Sequence, residues 1–145
     1  MIVTLLGAWQ TSLALFFEKE VVHLKELAIL VADDSEAVRE QLARTFSLIE
    51  GLTLIAATGA SEAARLVSSL QPDVVVLDIA MPHRDGIEVL REIRKEGPAA
   101  KIIMFTADPS VVLNEVCLEA GADFYLHKTQ LQELIDICSE QLAQK

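Results

Sequence analysis

The fold of this chain is decided by the stretch Val74-Val75-Val76-Leu77-Asp78, in which four apolar residues run directly into a carboxylate. A short, continuous apolar run of this kind predicts a strand that is buried on both of its faces. The sequence Gln71-Pro72-Asp73 interrupts the chain before this strand, and Gly86 follows a loop after it. The pattern therefore predicts a central strand covered by helices, with Asp78 at its carboxyl end.

Strand-like and helix-like segments alternate from Leu27 onward. The other strands are predicted at residues 27–31, 52–57, 102–105 and 124–126, and a helical pattern follows each strand. Ser35 and Ser61 are suited to cap the first and second helices, and Pro109 is suited to open the fourth. Five strand-helix pairs in series imply a parallel sheet with right-handed crossovers and helices on both faces. We therefore expect an α/β, doubly wound (βα)5 fold.

Composition limits the class of protein. A chain of 145 residues with 52% hydrophobic content has the length of one domain and enough apolar residues for a core. The formal net charge of −10 disfavours direct binding to nucleic acid, because phosphate backbones repel an acidic surface. Cys117 and Cys138 lie in apolar helical patterns and outside any CxxC pair, so we expect two reduced thiols in the core.

Polar residues stand at the ends of the predicted strands. Asp33 and Asp34 follow the first strand, Asp78 the third, Thr106 ends the fourth, and Lys128 comes after the fifth. In an open parallel sheet these positions share one edge, where ligands bind. Two carboxylates about 5 Å apart repel by roughly 3 kcal/mol at an effective dielectric near 20, and a hard cation such as Mg²⁺ would relieve that repulsion. A cation and a lysine around a carboxylate nucleophile form a site that can hold a phosphoryl group.

The chain from about Leu27 to Gln141 resembles the receiver domains of bacterial response regulators, including the single-domain chemotaxis type. The resemblance implies a flavodoxin-like three-layer sandwich with a five-stranded parallel sheet in the order 2-1-3-4-5. The matching motifs are Val-Ala-Asp-Asp at 31–34, Val-Leu-Asp-Ile-Ala-Met-Pro at 76–82, Asp-Gly at 85–86, Phe-Thr-Ala at 105–107, Gly-Ala-Asp at 121–123 and Tyr-Leu-His-Lys at 125–128.

The resemblance implies a role for each residue of the predicted site. Asp78 would be the phosphoacceptor. Asp34, Asp78 and the backbone carbonyl of Ala80 would bind Mg²⁺, and Asp33 would help through water. Lys128 would contact the phosphoryl oxygens. The chain would accept a phosphoryl group without being a turnover enzyme.

The resemblance also implies a conformational switch. Thr106 would move to hydrogen-bond the phosphoryl group, and Tyr125 would swing inward to fill the space that Thr106 vacates. Ala80 and Asp108 occupy the positions through which family members tune the lifetime of the phosphoryl group. The sequence departs from the family pattern at Thr129, where proline commonly follows the lysine.

The family implies the partners as well. The phosphodonor would be a sensor histidine kinase or a histidine phosphotransfer protein in the cytoplasm. The fourth helix, fifth strand and fifth helix would form the contact face for a downstream target protein, which the sequence does not name, or for a second copy in a homodimer. No output domain follows the fifth helix in this chain, so we expect the phosphorylated surface itself to be the output.

Residues 1–26 form an extension that lies outside the resemblance, and residues 27–145 form the predicted receiver domain. The first 17 residues carry no charge. Apolar residues that alternate by three and four favour an amphipathic helix, which would pack on the domain or on a partner. An ill-defined tail and membrane association are the alternatives. A membrane span is disfavoured because 17 helical residues reach only about 26 Å, against about 30 Å of hydrocarbon.

Three other functions fit part of the pattern. A haloacid-dehalogenase-type phosphatase also uses an aspartate after a strand, but it needs a second acid at the position of Ala80. A flavodoxin-like cofactor module needs a phosphate loop where Asp33-Asp34 would repel phosphate. The alternative that we retain is a phosphorylation-independent interaction module with the receiver fold.

Overall fold

The computed structural model describes residues 25–145, so the interpretations of the uncharged N-terminal segment lie outside the described residues. A short antiparallel hairpin of Ala80–Met81 and Arg84–Asp85 lies between the third strand and the third helix of the main fold. The other elements are, in chain order, β1 Leu27–Ala32, α1 Glu36–Ser47, β2 Leu52–Thr58, α2 Ala60–Leu70, β3 Val74–Leu77, α3 Gly86–Lys95, β4 Lys101–Thr106, α4 Val111–Glu119, β5 Phe124–His127 and α5 Leu131–Gln144.

The five strands form one parallel sheet in the order β2-β1-β3-β4-β5. This order confirms the predicted doubly wound fold, in which the chain returns from β2 at one side of the sheet to β3 in its centre. Ala32 pairs with Leu77, so the residues that follow β1 and β3 leave the sheet side by side. The carboxyl ends of the strands therefore meet at one edge, as the sequence predicted.

Side chains of the sheet alternate between two apolar layers, which is the period of a strand buried on both faces. One layer packs strand residues such as Leu30 and Val75 against α2, α3 and α4. The other packs residues such as Val31 and Val76 against α1 and α5. The result is the expected three-layer sandwich. Cys117 and Cys138 are both buried with free thiols, each in a different layer, as predicted.

Two of the three predicted helix starts are wrong. Ser35 does cap α1, where its hydroxyl accepts a hydrogen bond from the Val38 amide. In contrast, α2 begins at Ala60, before the predicted cap Ser61. The fourth helix is opened by a capping Ser110, one residue beyond Pro109. Each error is small, because the apolar stripe of a helix defines its face better than its first residue.

The pairing of β1 with β2 contains one irregularity. Ile29 pairs with Leu54, whereas Leu30 pairs with Ala56, so Ile55 is an extra residue in β2. The shifted register carries through to the end of the strand, where Thr58 pairs with Ala32. This extra residue therefore determines which part of the β2–α2 junction lies beside the segment that follows β1.

Within residues 25–145, no helix combines the length and the apolar character that crossing a membrane requires.

Candidate functional site

Backbone hydrogen bonds continue the sheet one step beyond its strands and fix the residues of the candidate site. The amide of Asp33 donates to the Thr58 carbonyl at 2.9 Å, and the amide of Asp78 donates to the Ala32 carbonyl at 3.0 Å. The amide of Lys128 donates to the carbonyl of Thr106 at 2.8 Å. Because these bonds tie neighbouring strand ends together, the side chains of the site start from a rigid frame.

Lys128 bridges two carboxylates at this edge. Its Nζ lies 2.7 Å from Oδ2 of Asp33 and 3.1 Å from Oδ2 of Asp78. The two aspartates are only 4% and 5% exposed, and the lysine side chain is 23% exposed. Charged groups removed from water to this degree need a partner of opposite sign, and the ammonium group supplies it to both.

The electrostatics of the three residues are coupled. Burial and then the negative charge of Asp33 raise the pKa of Asp78 above its ordinary value, and the hydrogen bond from Lys128 only partly opposes this rise. Burial alone would lower the pKa of Lys128, but its hydrogen bonds to Asp33 and Asp78 raise it. The ammonium group therefore remains charged, while Asp78 is a more basic carboxylate than an exposed aspartate.

The remaining oxygens of the two aspartates receive backbone hydrogen bonds. Oδ1 of Asp33 accepts from the Ser35 amide at 2.8 Å, and Oδ1 of Asp78 accepts from the Ala80 amide at 3.4 Å. The Asp33 carbonyl also accepts a 2.6 Å hydrogen bond from Nη1 of Arg39. These contacts hold both carboxylates in defined orientations, and they place Ala80 beside the carboxylate of Asp78.

The third carboxylate of the predicted site points elsewhere. Oδ1 of Asp34 accepts a 3.1 Å hydrogen bond from the amide of Ala60, the first residue of α2. The structure therefore brings together two of the three aspartates. Among residues 25–145, no three acidic, histidine or cysteine side chains gather closely enough to hold a metal ion.

The backbone of Gly86 packs directly against the backbone of Asp78. A Cβ at this glycine would lie 2.0 Å from the carbonyl oxygen of Asp78 and 2.7 Å from Cα of Ile79. The Gly86 amide also donates a 2.9 Å hydrogen bond to the Ile79 carbonyl. Because the backbone at position 86 lies directly against the backbone of Asp78 and Ile79, only glycine fits at this position. The sequence showed Gly86 in a motif but gave no sign of this contact.

Thr106 and Tyr125 both contact the loop between β4 and α4. Thr106 is fully buried, and its Oγ1 lies 3.4 Å from the Asp108 amide, which donates to it. Tyr125 is half-buried, and its hydroxyl donates a 2.8 Å hydrogen bond to the Asp108 carbonyl. The two residues predicted for the switch are therefore connected through one loop residue.

His127 holds the loop that carries Lys128, and sequence reasoning missed it. The Thr129 amide donates to Nδ1 of His127 at 3.2 Å. The ring proton is therefore on Nε2, which donates to the Ala107 carbonyl at 3.0 Å. The histidine ties the β5–α5 loop to the β4–α4 loop beside Thr129, where the family commonly has proline.

A sequence profile of the response regulator receiver domain matches residues 29–139. The match covers most of the chain and includes every residue of the site, so this protein belongs to the receiver-domain family of response regulators. That assignment agrees with the sheet order and with the position of the acidic residues.

Named relatives and solved structures give the same family. The chain is 45% identical over 108 residues to the response regulator MprA of Mycolicibacterium vanbaalenii, in an alignment that covers 74% of this chain and 46% of MprA. The chain thus spans about half the length of this relative. The fold is similar to a LuxR-family two-component response regulator from Aurantimonas sp. SI85-9A1, with a TM-score of 0.76, 33% identity, and coverage of 83% and 88%. It is also similar to a chain in the CheX-CheY-BeF3-Mg complex from Borrelia burgdorferi, with a TM-score of 0.71, 30% identity, and coverage of 78% and 90%.

Proposed function

We propose that this receiver domain takes a phosphoryl group from a phosphohistidine donor onto Asp78 and thereby changes a protein-interaction surface. The observation that carries the proposal is the Lys128 ammonium group held between two buried carboxylates, Asp33 and Asp78, at the ligand-binding edge of the sheet. A purely structural ion pair would not need two acids of the same charge at that edge. A phosphoryl site needs a nucleophile, a cation-binding acid and a fixed positive charge.

The residues fit Mg²⁺ by their donor chemistry. Asp78, the backbone carbonyl of Ala80 and, after turning away from α2, Asp34 would provide the oxygen ligands that hard cations prefer, and Asp33 would help through water. When bound, Mg²⁺ supplies positive charge that offsets the carboxylates and the phosphoryl oxygens. The raised pKa of Asp78, caused by burial and then by Asp33, is consistent with carboxylates whose charge is incompletely balanced.

The side chains of the chain itself support the transfer. A carboxylate oxygen of Asp78 attacks phosphorus, the P–N bond to the donor imidazole breaks, and that imidazole takes up a proton from water. Lys128 is already 3.1 Å from Asp78, so its ammonium group can shift to the transferred oxygens. Thr106 then hydrogen-bonds the phosphoryl group, and Tyr125 turns inward. Phosphorylation of Asp78 thereby shifts the equilibrium between two arrangements of the β4–α4 loop.

The partners follow from this chemistry. The donor is a sensor histidine kinase or a histidine phosphotransfer protein, and the target is a protein that reads the α4-β5-α5 face or a second copy of this chain. The net charge of −10 favours protein targets over direct nucleic-acid contacts. We place the protein in the cytoplasm, as a phosphoacceptor rather than a turnover enzyme.

Incubation with acetyl phosphate, with and without Mg²⁺, tests the proposal by intact-protein mass. We expect the wild-type chain to gain one labile phosphoryl group only when Mg²⁺ is present, and an Asp78→Asn variant to gain none. Equal labelling of Asp78→Asn would place the phosphoryl group elsewhere. No labelling of the native protein would favour the phosphorylation-independent interaction module.

The lifetime of the phosphoryl group gives a second measurement. Ala80 lies beside Asp78, and the Asp108 amide contacts Thr106, so both residues border the reacting edge. Substitution of either residue should alter the dephosphorylation rate while leaving the extent of labelling intact. Unchanged decay in both variants would remove them from the proposed site.

A further inference from the structure

The N-terminus of α2 lacks a capping side chain of its own. Its N-cap residue is Gly59, which forms no side-chain cap. Glu62 could reach back to the start of the helix, but Arg65 binds its carboxylate instead, through Nε at 3.0 Å and through Nη2. The Ala60 amide is bonded to Asp34, which lies 26 residues earlier in the chain. A carboxylate at this end of a helix also interacts favourably with the helix dipole.

Gly59 makes this long-range cap possible. A Cβ at Gly59 would lie 2.4 Å from Oδ1 of Asp34, closer than any van der Waals contact allows. The backbone of Gly59 is extended, with φ −84° and ψ 178°, so any residue could adopt its conformation. The turn itself would accept a side chain at position 59, but that side chain would force the Asp34 carboxylate to shift.

The cap draws Asp34 away from the other two acids. In the described part of the chain, Asp33, Asp34 and Asp78 do not form a group that could share one cation. Lys128 contacts Asp33 and Asp78, whereas Oδ1 of Asp34 accepts a hydrogen bond from the Ala60 amide. A cation that recruits Asp34 must therefore break or lengthen the bond to α2.

We infer that Asp34 is shared between two competing roles, capping α2 in the metal-free protein and ligating the divalent cation in the loaded one. This inference rests on the proposed function, because it takes the Mg²⁺ site as given. Gly59 is the positioning residue that permits the first role. By linkage, cation binding loosens the first turn of α2, and release of the cap tightens cation binding to the same extent.

Hydrogen exchange and Mg²⁺ titration of the whole chain test the inference. In the wild-type protein, saturating Mg²⁺ should speed exchange of the Ala60 amide. The Leu113 amide, which Ser110 caps in α4, should be unaffected. Both Gly59→Ala and Gly59→Asn should bind Mg²⁺ about fivefold more tightly by calorimetry, the factor that corresponds to one lost N-cap interaction of about 1 kcal/mol.

The two Gly59 variants separate capping from packing. Gly59→Ala expels Asp34 and leaves α2 uncapped, so its first turn should exchange faster. Gly59→Asn expels Asp34 and supplies its own cap, so protection should return. Ser110→Ala is the matched control, because it removes an N-cap from α4 without touching Asp34 and should leave Mg²⁺ affinity unchanged.

Either of two results would overturn this inference and leave the proposed function intact. The first is full protection of the Ala60 amide at saturating Mg²⁺, and the second is that the Gly59 variants bind Mg²⁺ no more tightly than the wild type. The wild-type readout does not depend on any variant folding. If the wild-type chain neither binds Mg²⁺ nor accepts a phosphoryl group, the proposed function fails together with the inference.

Discussion

The hydroxyl of Tyr125 donates a 2.8 Å hydrogen bond to the backbone carbonyl of Asp108, so β5 is joined to the loop that precedes α4. The amide of the same Asp108 contacts the hydroxyl of Thr106. This hydrogen bond holds the ring of Tyr125 against the loop between β4 and α4. An inward swing of the ring would require the hydrogen bond to break, so the environment of the Tyr125 hydroxyl reports the position of that loop.

Tyr125 is the single tyrosine of the chain, so its titration can be followed by phenolate absorbance. Burial, followed by the charges of Asp108 and Cys117, raises its pKa above the ordinary value of 10.0. The folded state thus disfavours the phenolate. The contribution of Tyr125 to the free energy of unfolding is therefore present below pH 10 and is lost as the pH rises through the pKa of the folded state. We expect an ionisation midpoint above 10 in the native protein and near 10 in urea.

A Tyr125→Phe variant provides the control for this titration. It removes the phenolate signal together with the hydrogen bond and should lower the free energy of unfolding by about 1 kcal/mol. An identical midpoint in native and unfolded wild-type protein would mean that the ring is freely exposed.

Lys128→Gln should destabilise the fold, because it leaves the buried carboxylates of Asp33 and Asp78 facing each other without a counter-charge. The expected loss in the free energy of unfolding is about 2–3 kcal/mol, below the value for a completely buried pair because Lys128 keeps some exposure. Urea denaturation without divalent cations measures it. Adding Asp78→Asn to Lys128→Gln should recover part of the loss, and a single variant as stable as the wild type would contradict the prediction.

Gly86→Ala should be more harmful than any other glycine-to-alanine change at the sheet edge. The new methyl group would overlap the backbone of Asp78 and Ile79, so we expect a loss above about 3 kcal/mol in the free energy of unfolding. Gly97→Ala is the comparison, because Gly97 has a φ of +74° but no neighbouring atom within 4 Å of the position that a Cβ would occupy. It should cost only about 1–2 kcal/mol of left-handed strain. Equal losses in urea denaturation would show that the Gly86 contact can relax.

Both thiols should resist labelling in the folded protein. Burial raises the pKa of Cys138 to about 12, and burial with the charge of Asp85 raises the pKa of Cys117 to about 11. At about pH 8 an unfolded thiol has substantial thiolate, whereas these two remain protonated and inaccessible. A thiol-reactive dye should react with both cysteines in urea and with neither in buffer. Single Cys→Ser variants identify the residue if one does react in the native protein.

The fold was predictable where the local pattern determines it. Val74–Leu77 is a strand with the predicted bounds because four buried apolar residues leave no polar face to place in water. The start of α2 was not predictable, because the local sequence favours Ser61 as a cap. The residue that caps the helix is Asp34, from another loop, and its carboxylate occupies the space that a side chain at Gly59 would need.

The site was predictable to a similar extent. The proximity of Asp33, Asp78 and Lys128 followed from their places at strand ends, because parallel strands bring those ends together. The role of His127 could not be read from the sequence. Its partner, the carbonyl of Ala107, is a backbone atom brought near by the pairing of β4 with β5.

The extra residue Ile55 has a consequence for how copies of this chain can meet. Among residues 25–145, β2 is one of the two outermost strands of the sheet, and the free edge of a strand can recruit a strand from another molecule. The irregularity at Ile55 twists this strand and interrupts the even spacing of donors and acceptors that intermolecular pairing needs. Extension of the sheet from one molecule into the next is therefore disfavoured along β2.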